Sequence, residues 1–185
     1  KLAGVRKEDL LDPNKYNFVL GVALSHNLWT DLKKRVLRDQ WGEGRYSAAN
    51  KALYASLKNR QFDRLDCHSN GAMLCLAALE LGDVKTRHVR LFGPLITKGS
   101  IRRWQRLVGQ GKVGSIELYI NKGDIVPWLS YSWGGLVGEA SKPGELPWVI
   151  KRIVPGIYVK ISDCKGDFKT CHSMKTYQEN IEAQR

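Results

Sequence analysis

A serine becomes a nucleophile only if its hydroxyl is presented to a carbonyl and stands beside a base. The segment Phe62-Asp63-Arg64-Leu65-Asp66-Cys67-His68-Ser69-Asn70-Gly71-Ala72 offers the first condition. A strand runs straight into His-Ser-Asn-Gly and a buried helix starts at once. A side chain on so sharp a strand-to-helix turn points out at the carboxyl end of a sheet, and the next amide faces the developing oxyanion. The helix N-terminus adds favourable electrostatics for negative charge. Ser69 is therefore the candidate nucleophile, and the Asn70 amide a candidate oxyanion donor. For the base, the chain has four histidines, His26, His68, His88 and His172. His68 adjoins Ser69 on the strand side, where its side chain is expected to point elsewhere. His26 follows the first strand, His88 lies within a strand, and His172 lies in a loop after the last strand. Asp124, Asp163 and Asp167 are the carboxylates near these positions. Of these, Asp124 alone ends a predicted strand after Ser69.

Such residues need a frame to hold them. Apolar runs alternate with helical patterns, which predicts a parallel sheet with helices on its faces. Asn17–Leu24 reads as a strand buried on both sides, 28–34 as a short helix and Val36-Leu37 as a brief second strand. Ser47 is read as the N-cap of a helix through Lys58. Strands follow at Phe62–Cys67, Arg87–Phe92, Ser115–Ile120 and Gly156–Ile161. Helices are expected over Asn70–Leu81, Ile101–Val108 and Thr176–Ala183. Ile125–Pro147 reads as a long connection rich in Gly, Ser and Trp.

Three stretches together resemble the α/β-hydrolase superfamily of lipase- and esterase-like serine hydrolases. Cys67-His68-Ser69-Asn70-Gly71 resembles its nucleophile elbow G-x-S-x-G, with Cys67 in place of the first glycine. Asp39-Gln40-Trp41-Gly42-Glu43-Gly44-Arg45-Tyr46-Ser47 resembles its D-x-x-G-x-G-x-S loop, with Tyr46 as an extra residue. Ile116–Pro127 resembles the strand leading to G-x-D-x-x-V-P, with Val126-Pro127 one position early. The resemblance spans roughly Phe18 to Tyr177. It implies a compact α/β-hydrolase fold with a mostly parallel sheet of about six strands, flanked by helices, and a small or absent cap. It also implies the triad Ser69, Asp124, His172 in that chain order. A second oxyanion donor would come from the loop after the first strand, at Leu24 or Ala23. The implied activity is ester hydrolysis through an acyl-enzyme, without metal or other cofactor. An acyltransferase with the same triad, or a non-catalytic basic module binding lipid or protein, are the rival readings.

The length of 185 residues suits one domain, 1–185, or one domain of a longer protein. No run approaches the length of a membrane span, and the compartment is left unread. Trp128, Leu129 and Trp133, in the connection after Asp124, are the expected substrate wall, apolar enough for an acyl chain. The net charge of +12 calls for an acidic counterpart. Lys85 to Lys112 holds eight Lys or Arg and no acidic residue. Arg102, Arg103 and Arg106, beside an apolar face with Trp104, are read as an anionic membrane contact. No nucleic-acid motif accompanies the charge. No cysteine pair has zinc spacing. Cys67 and Cys75 read as buried apolar residues, and Cys164 and Cys171 as a pair able to join across a short loop.

Overall fold

A computed structural model describes residues 61–81, 83–133 and 156–183, with residues 54, 55, 57 and 58. These form an α/β fold. Four strands, β1 (Gln61–His68), β2 (Lys85–Phe92), β3 (Val113–Asn121) and β4 (Ile157–Ser162), lie in the order β1-β2-β3-β4, and every neighbouring pair is parallel. Helices α1 (Gly71–Glu80) and α2 (Lys98–Gly109) make the first two crossovers, and α3 (Ile125–Trp133) follows β3. After β4 come α4 (Phe168–His172) and α5 (Met174–Glu182). The strands expected over Asn17–Leu24 and Val36-Leu37, the 28–34 helix and the Asp39–Ser47 loop lie outside the described residues.

The two faces of the sheet differ because strand side chains alternate. Cys67, Leu91, Leu118 and Val159 are in register across all four strands and face the main core, with Leu76 and Leu79 of α1 and Trp104 and Leu107 of α2. The intervening row carries Asp66, Arg90 and Glu117, and Arg90 is bonded to the Asp66 carboxylate through two guanidinium nitrogens. Towards the carboxyl end that face closes on α5, where Phe92 and Tyr119 pack with Tyr177.

Helix α1 is apolar on nearly every side and lies in the core. Helix α2 starts three residues earlier than its apolar period suggests. Thr97 and Ser100 form a reciprocal capping box, in which Thr97 Oγ1 accepts from the Ser100 amide and Ser100 Oγ from the Thr97 amide. Only residues 93–97 join β2 to α2, which leaves no room for a cap domain there. The connection expected over Ile125–Pro147 is helical in its first nine residues. No described helix is long and apolar enough to cross a membrane.

All four cysteines are bonded, Cys67 to Cys75 and Cys164 to Cys171. The first bond corrects the reading of Cys67 and Cys75 as simple apolar residues. The strand-to-helix turn folds α1 back along β1 and brings the two sulfurs together.

Candidate active site

Ser69 sits between the last residue of β1 and the start of α1 with φ of 53°, the one described non-glycine residue with a positive φ. A bulkier or β-branched residue would be strained there. The turn is held from both sides by backbone bonds. The Ser69 amide donates to the Phe92 carbonyl (3.0 Å), and the Ser69 carbonyl accepts from the Leu95 amide (3.1 Å) and the Ala72 amide (3.2 Å). Asn70 is the N-cap of α1 and is buried. Its N–H has no acceptor among the described residues, so it is available to an oxyanion at a helix N-terminus.

Asp124 follows β3. Its amide donates to the Asn121 carbonyl (2.9 Å), closing the turn Asn121-Lys122-Gly123-Asp124. The residue is only 2% exposed, so its carboxylate needs donors, and it has three. Oδ1 accepts from the Val126 amide (2.9 Å), while Oδ2 accepts from His172 Nδ1 (2.8 Å) and from the Tyr177 hydroxyl (2.7 Å). Gly93, with φ of 45°, makes room for this carboxylate. A β-carbon there would fall 2.5 Å from Asp124 Oδ2 and 2.9 Å from the Tyr177 oxygen.

His172 ends α4 rather than lying in a loop. A carboxylate only accepts, so Nδ1 carries the ring proton and Nε2 is left to accept from Ser69 Oγ, 2.9 Å away. The structure thus brings Ser69, His172 and Asp124 into one hydrogen-bonded chain. The other two carboxylates are engaged elsewhere. Asp163 pairs with Lys122 at 2.6 Å, and Asp167 caps α4 by accepting from the Thr170 amide at 2.8 Å. That bond, the first of its causes, holds the Asp167 carboxyl below its usual value.

His172 is positioned by contacts distant in the sequence. The Cys164–Cys171 bond closes the loop that leads to it. Asn121 Nδ2 donates to the Cys171 carbonyl (2.7 Å). Gly123 allows the acid turn to lie on that disulfide, since a β-carbon would meet Cys171 Sγ at 2.7 Å. His68, expected to point away, turns back over His172. Its Nε2–H donates to the His172 carbonyl at 2.7 Å, and the two ring centres are 4.9 Å apart. Burial first, and the neighbouring His172 second, push the His68 imidazole below the ordinary histidine range. His68 and Tyr177 are the site residues that sequence reasoning missed; no periodicity or motif marks either one. His88 lies on β2 and contacts the Ser115 hydroxyl, and His26 lies outside the described residues.

The remaining expected residues lie on α3, on α2 or outside the described residues. Leu24 and Ala23 lie outside the described residues. Trp128 is half-buried and packs against the main core, while Leu129 joins a small apolar group with Leu95, Val126 and Met73. Trp133 ends α3. On α2, Arg103 makes two bonds to the Glu80 carboxylate, at 2.8 and 2.7 Å, and Trp104 is buried. The apolar face of α2 therefore serves the core, and only Arg102 and Arg106 of the three arginines are exposed. Elsewhere in the basic block, Arg90 pairs with Asp66 and Arg87 with Asp63.

A comparison of the chain with protein families, curated proteins and solved structures finds no match. The functional reading therefore rests on the geometry and chemistry of this site.

Proposed function

We propose that the protein is a serine hydrolase of the α/β-hydrolase type that cleaves a carboxylic ester through an acyl-enzyme. The observation that carries this reading is the chain Asp124 Oδ2–His172–Ser69 Oγ, with bonds of 2.8 and 2.9 Å, ending at a serine held in a positive-φ turn. Ser69 Oγ attacks the ester carbonyl as His172 Nε2 takes its proton, and Asp124 stabilises the imidazolium. The oxyanion of the tetrahedral intermediate accepts a hydrogen bond from the Asn70 N–H. His172 then gives its proton to the departing alkoxide, which leaves as the alcohol. Water repeats the sequence on the acyl-enzyme, releasing the acid and restoring Ser69.

The substrate class we propose is a hydrophobic or lipid ester. Leu95 and Val126 support it: Leu95 bonds to the Ser69 carbonyl, Val126 bonds to Asp124, and the two pack with Met73 and Leu129. This group shares Leu129 with the expected wall of Trp128, Leu129 and Trp133 and adds Leu95, Val126 and Met73 to it. Contact with an anionic lipid surface is proposed for Arg102 and Arg106, with Arg103 excluded by its pairing to Glu80.

Turnover of a soluble short-chain ester tests the reading. Ser69→Ala and His172→Ala should each lower kcat on the order of a thousandfold or more, and Asp124→Asn by a similar or smaller factor. Near-native turnover in any of the three, with folding intact, removes that residue from the mechanism. Product analysis with an added alcohol distinguishes transfer from hydrolysis. A native protein that turns over no ester supports the rival reading of a binding module.

A further inference from the structure

Among the described residues, Tyr177 is the one buried phenol in contact with the triad, and it comes from a helix that the proposed chemistry does not use. Its oxygen accepts from the Asn121 amide at 3.1 Å. An N–H can only donate, so the phenol's single proton is free to go to Asp124 Oδ2, 2.7 Å away. That same oxygen accepts from His172 Nδ1. Two donors on one carboxylate oxygen share its charge, and each weakens the hold of the other. Phe92 packs against the Tyr177 ring, with Tyr119 stacked on Phe92, and Gly93 admits the phenol and the carboxylate side by side. Burial first, then the Asp124 charge, push the phenol far above its usual range, so it remains a donor.

We infer that Tyr177 is a positioning residue for the reaction, acting through Asp124. It holds the carboxylate in the rotamer that meets His172, and it draws off part of the charge that Oδ2 offers to Nδ1. The inference rests on the triad reading above and adds a fourth member to it. The ionisable groups facing this carboxylate are His172 from α4, His68 from β1 and Tyr177 from α5, with Tyr119 of β3 beyond Phe92. Arg90 of β2 stands over Phe92 and Lys160 of β4 over Tyr119.

The test uses the full chain and the variants Tyr177→Phe and Asn180→Ala. NMR titration of the His172 ring reads the effect whether or not an ester is turned over. In Tyr177→Phe the carboxylate charge concentrates toward Nδ1, so the His172 midpoint should rise on the order of half a pH unit. The acid limb of kcat/KM should move the same way, with kcat about tenfold lower and KM unchanged. Asn180→Ala removes the bond from Asn180 Nδ2 to Asn121 Oδ1 (2.8 Å) and loosens the same helix but keeps the phenol; it should lower Tm and leave the midpoint in place. A midpoint unmoved in Tyr177→Phe, or moved equally in both variants, overturns the inference and makes Tyr177 a packing residue. Failure of the triad reading has a separate signature, a parent protein that neither turns over ester nor reacts with a fluorophosphonate.

Discussion

Ser69 sits where a strand hands over directly to a buried helix, whereas His172 ends a five-residue helix that stands on side-chain contacts. Each arm also carries a disulfide. Cys67–Cys75 spans the serine turn, and Cys164–Cys171 ends one residue before the histidine. The sequence separations are 8 and 7, so both bonds restrict the unfolded chain to nearly the same degree. Their effects on the folded site should differ. Backbone bonds from Phe92, Leu95 and Ala72 already fix the serine turn, and α1 is packed in the core. On the base arm, the disulfide, the Asn121 bond to Cys171 and the His68 bond to His172 share that task. On the proposed mechanism, a serine arm held by main chain should tolerate the loss of one staple, and a histidine arm held by side chains should not.

The largest effect that bears on this contrast comes from removing each disulfide. Cys164→Ser with Cys171→Ser should cut kcat about tenfold, and Cys67→Ala with Cys75→Ala by less than roughly threefold. Both pairs should lower unfolding free energy by a similar amount, about 2–3 kcal/mol. Denaturant unfolding and ester kinetics on the same samples check this. A larger loss of turnover from the Cys67 pair would reverse the comparison.

A smaller effect follows from His68, which leans from the nucleophile arm onto the base arm. Its folded-state pKa is lowered by burial and by His172. As pH falls below the ordinary value of 6.5, the unfolded chain therefore takes up a proton that the folded protein resists. The stability associated with neutral His68 is present above 6.5 and is lost as pH falls toward the folded value. His68→Gln keeps a donor for the His172 carbonyl but removes the titration. Unfolding free energy measured between about pH 7 and pH 5 should fall less steeply in the variant. An identical slope would mean that His68 does not link the arms in this way.

Much of the serine arm was legible because its signals are local. A strand, a small-residue turn and an apolar helix follow one another within twenty residues, and the four described strands fall within a few residues of their expected ends. The base arm was less legible. Helix α4 is too short for periodicity to reveal, and its only local mark is the Asp167 cap. The bonds from His68 to His172 and from Tyr177 to Asp124 span 104 and 53 residues, distances over which only the folded sheet brings partners together. The pairing of the basic block was hidden for a similar reason. Its neutralising partners, Asp63, Asp66 and Glu80, come from β1 and α1.

Helix α2 belongs to neither arm, so its exposed arginines should have the smallest effect on chemistry. Arg102→Gln with Arg106→Gln should leave turnover of a soluble ester unchanged and weaken binding to vesicles of anionic lipid. Each basic residue contributes about 1 kcal/mol at such a surface, a loss of roughly thirtyfold for the pair. Vesicle sedimentation at low and high salt checks this, since salt should mimic the mutations. Binding that ignores both changes would remove the lipid surface from the account.

The most direct test of the central claim is covalent. The native protein is treated with a fluorophosphonate and digested, and the adduct is mapped by mass spectrometry. The account predicts a single adduct on Ser69, absent in Ser69→Ala and formed far more slowly in His172→Ala. An adduct on another residue, or a folded native protein that forms none, would contradict it.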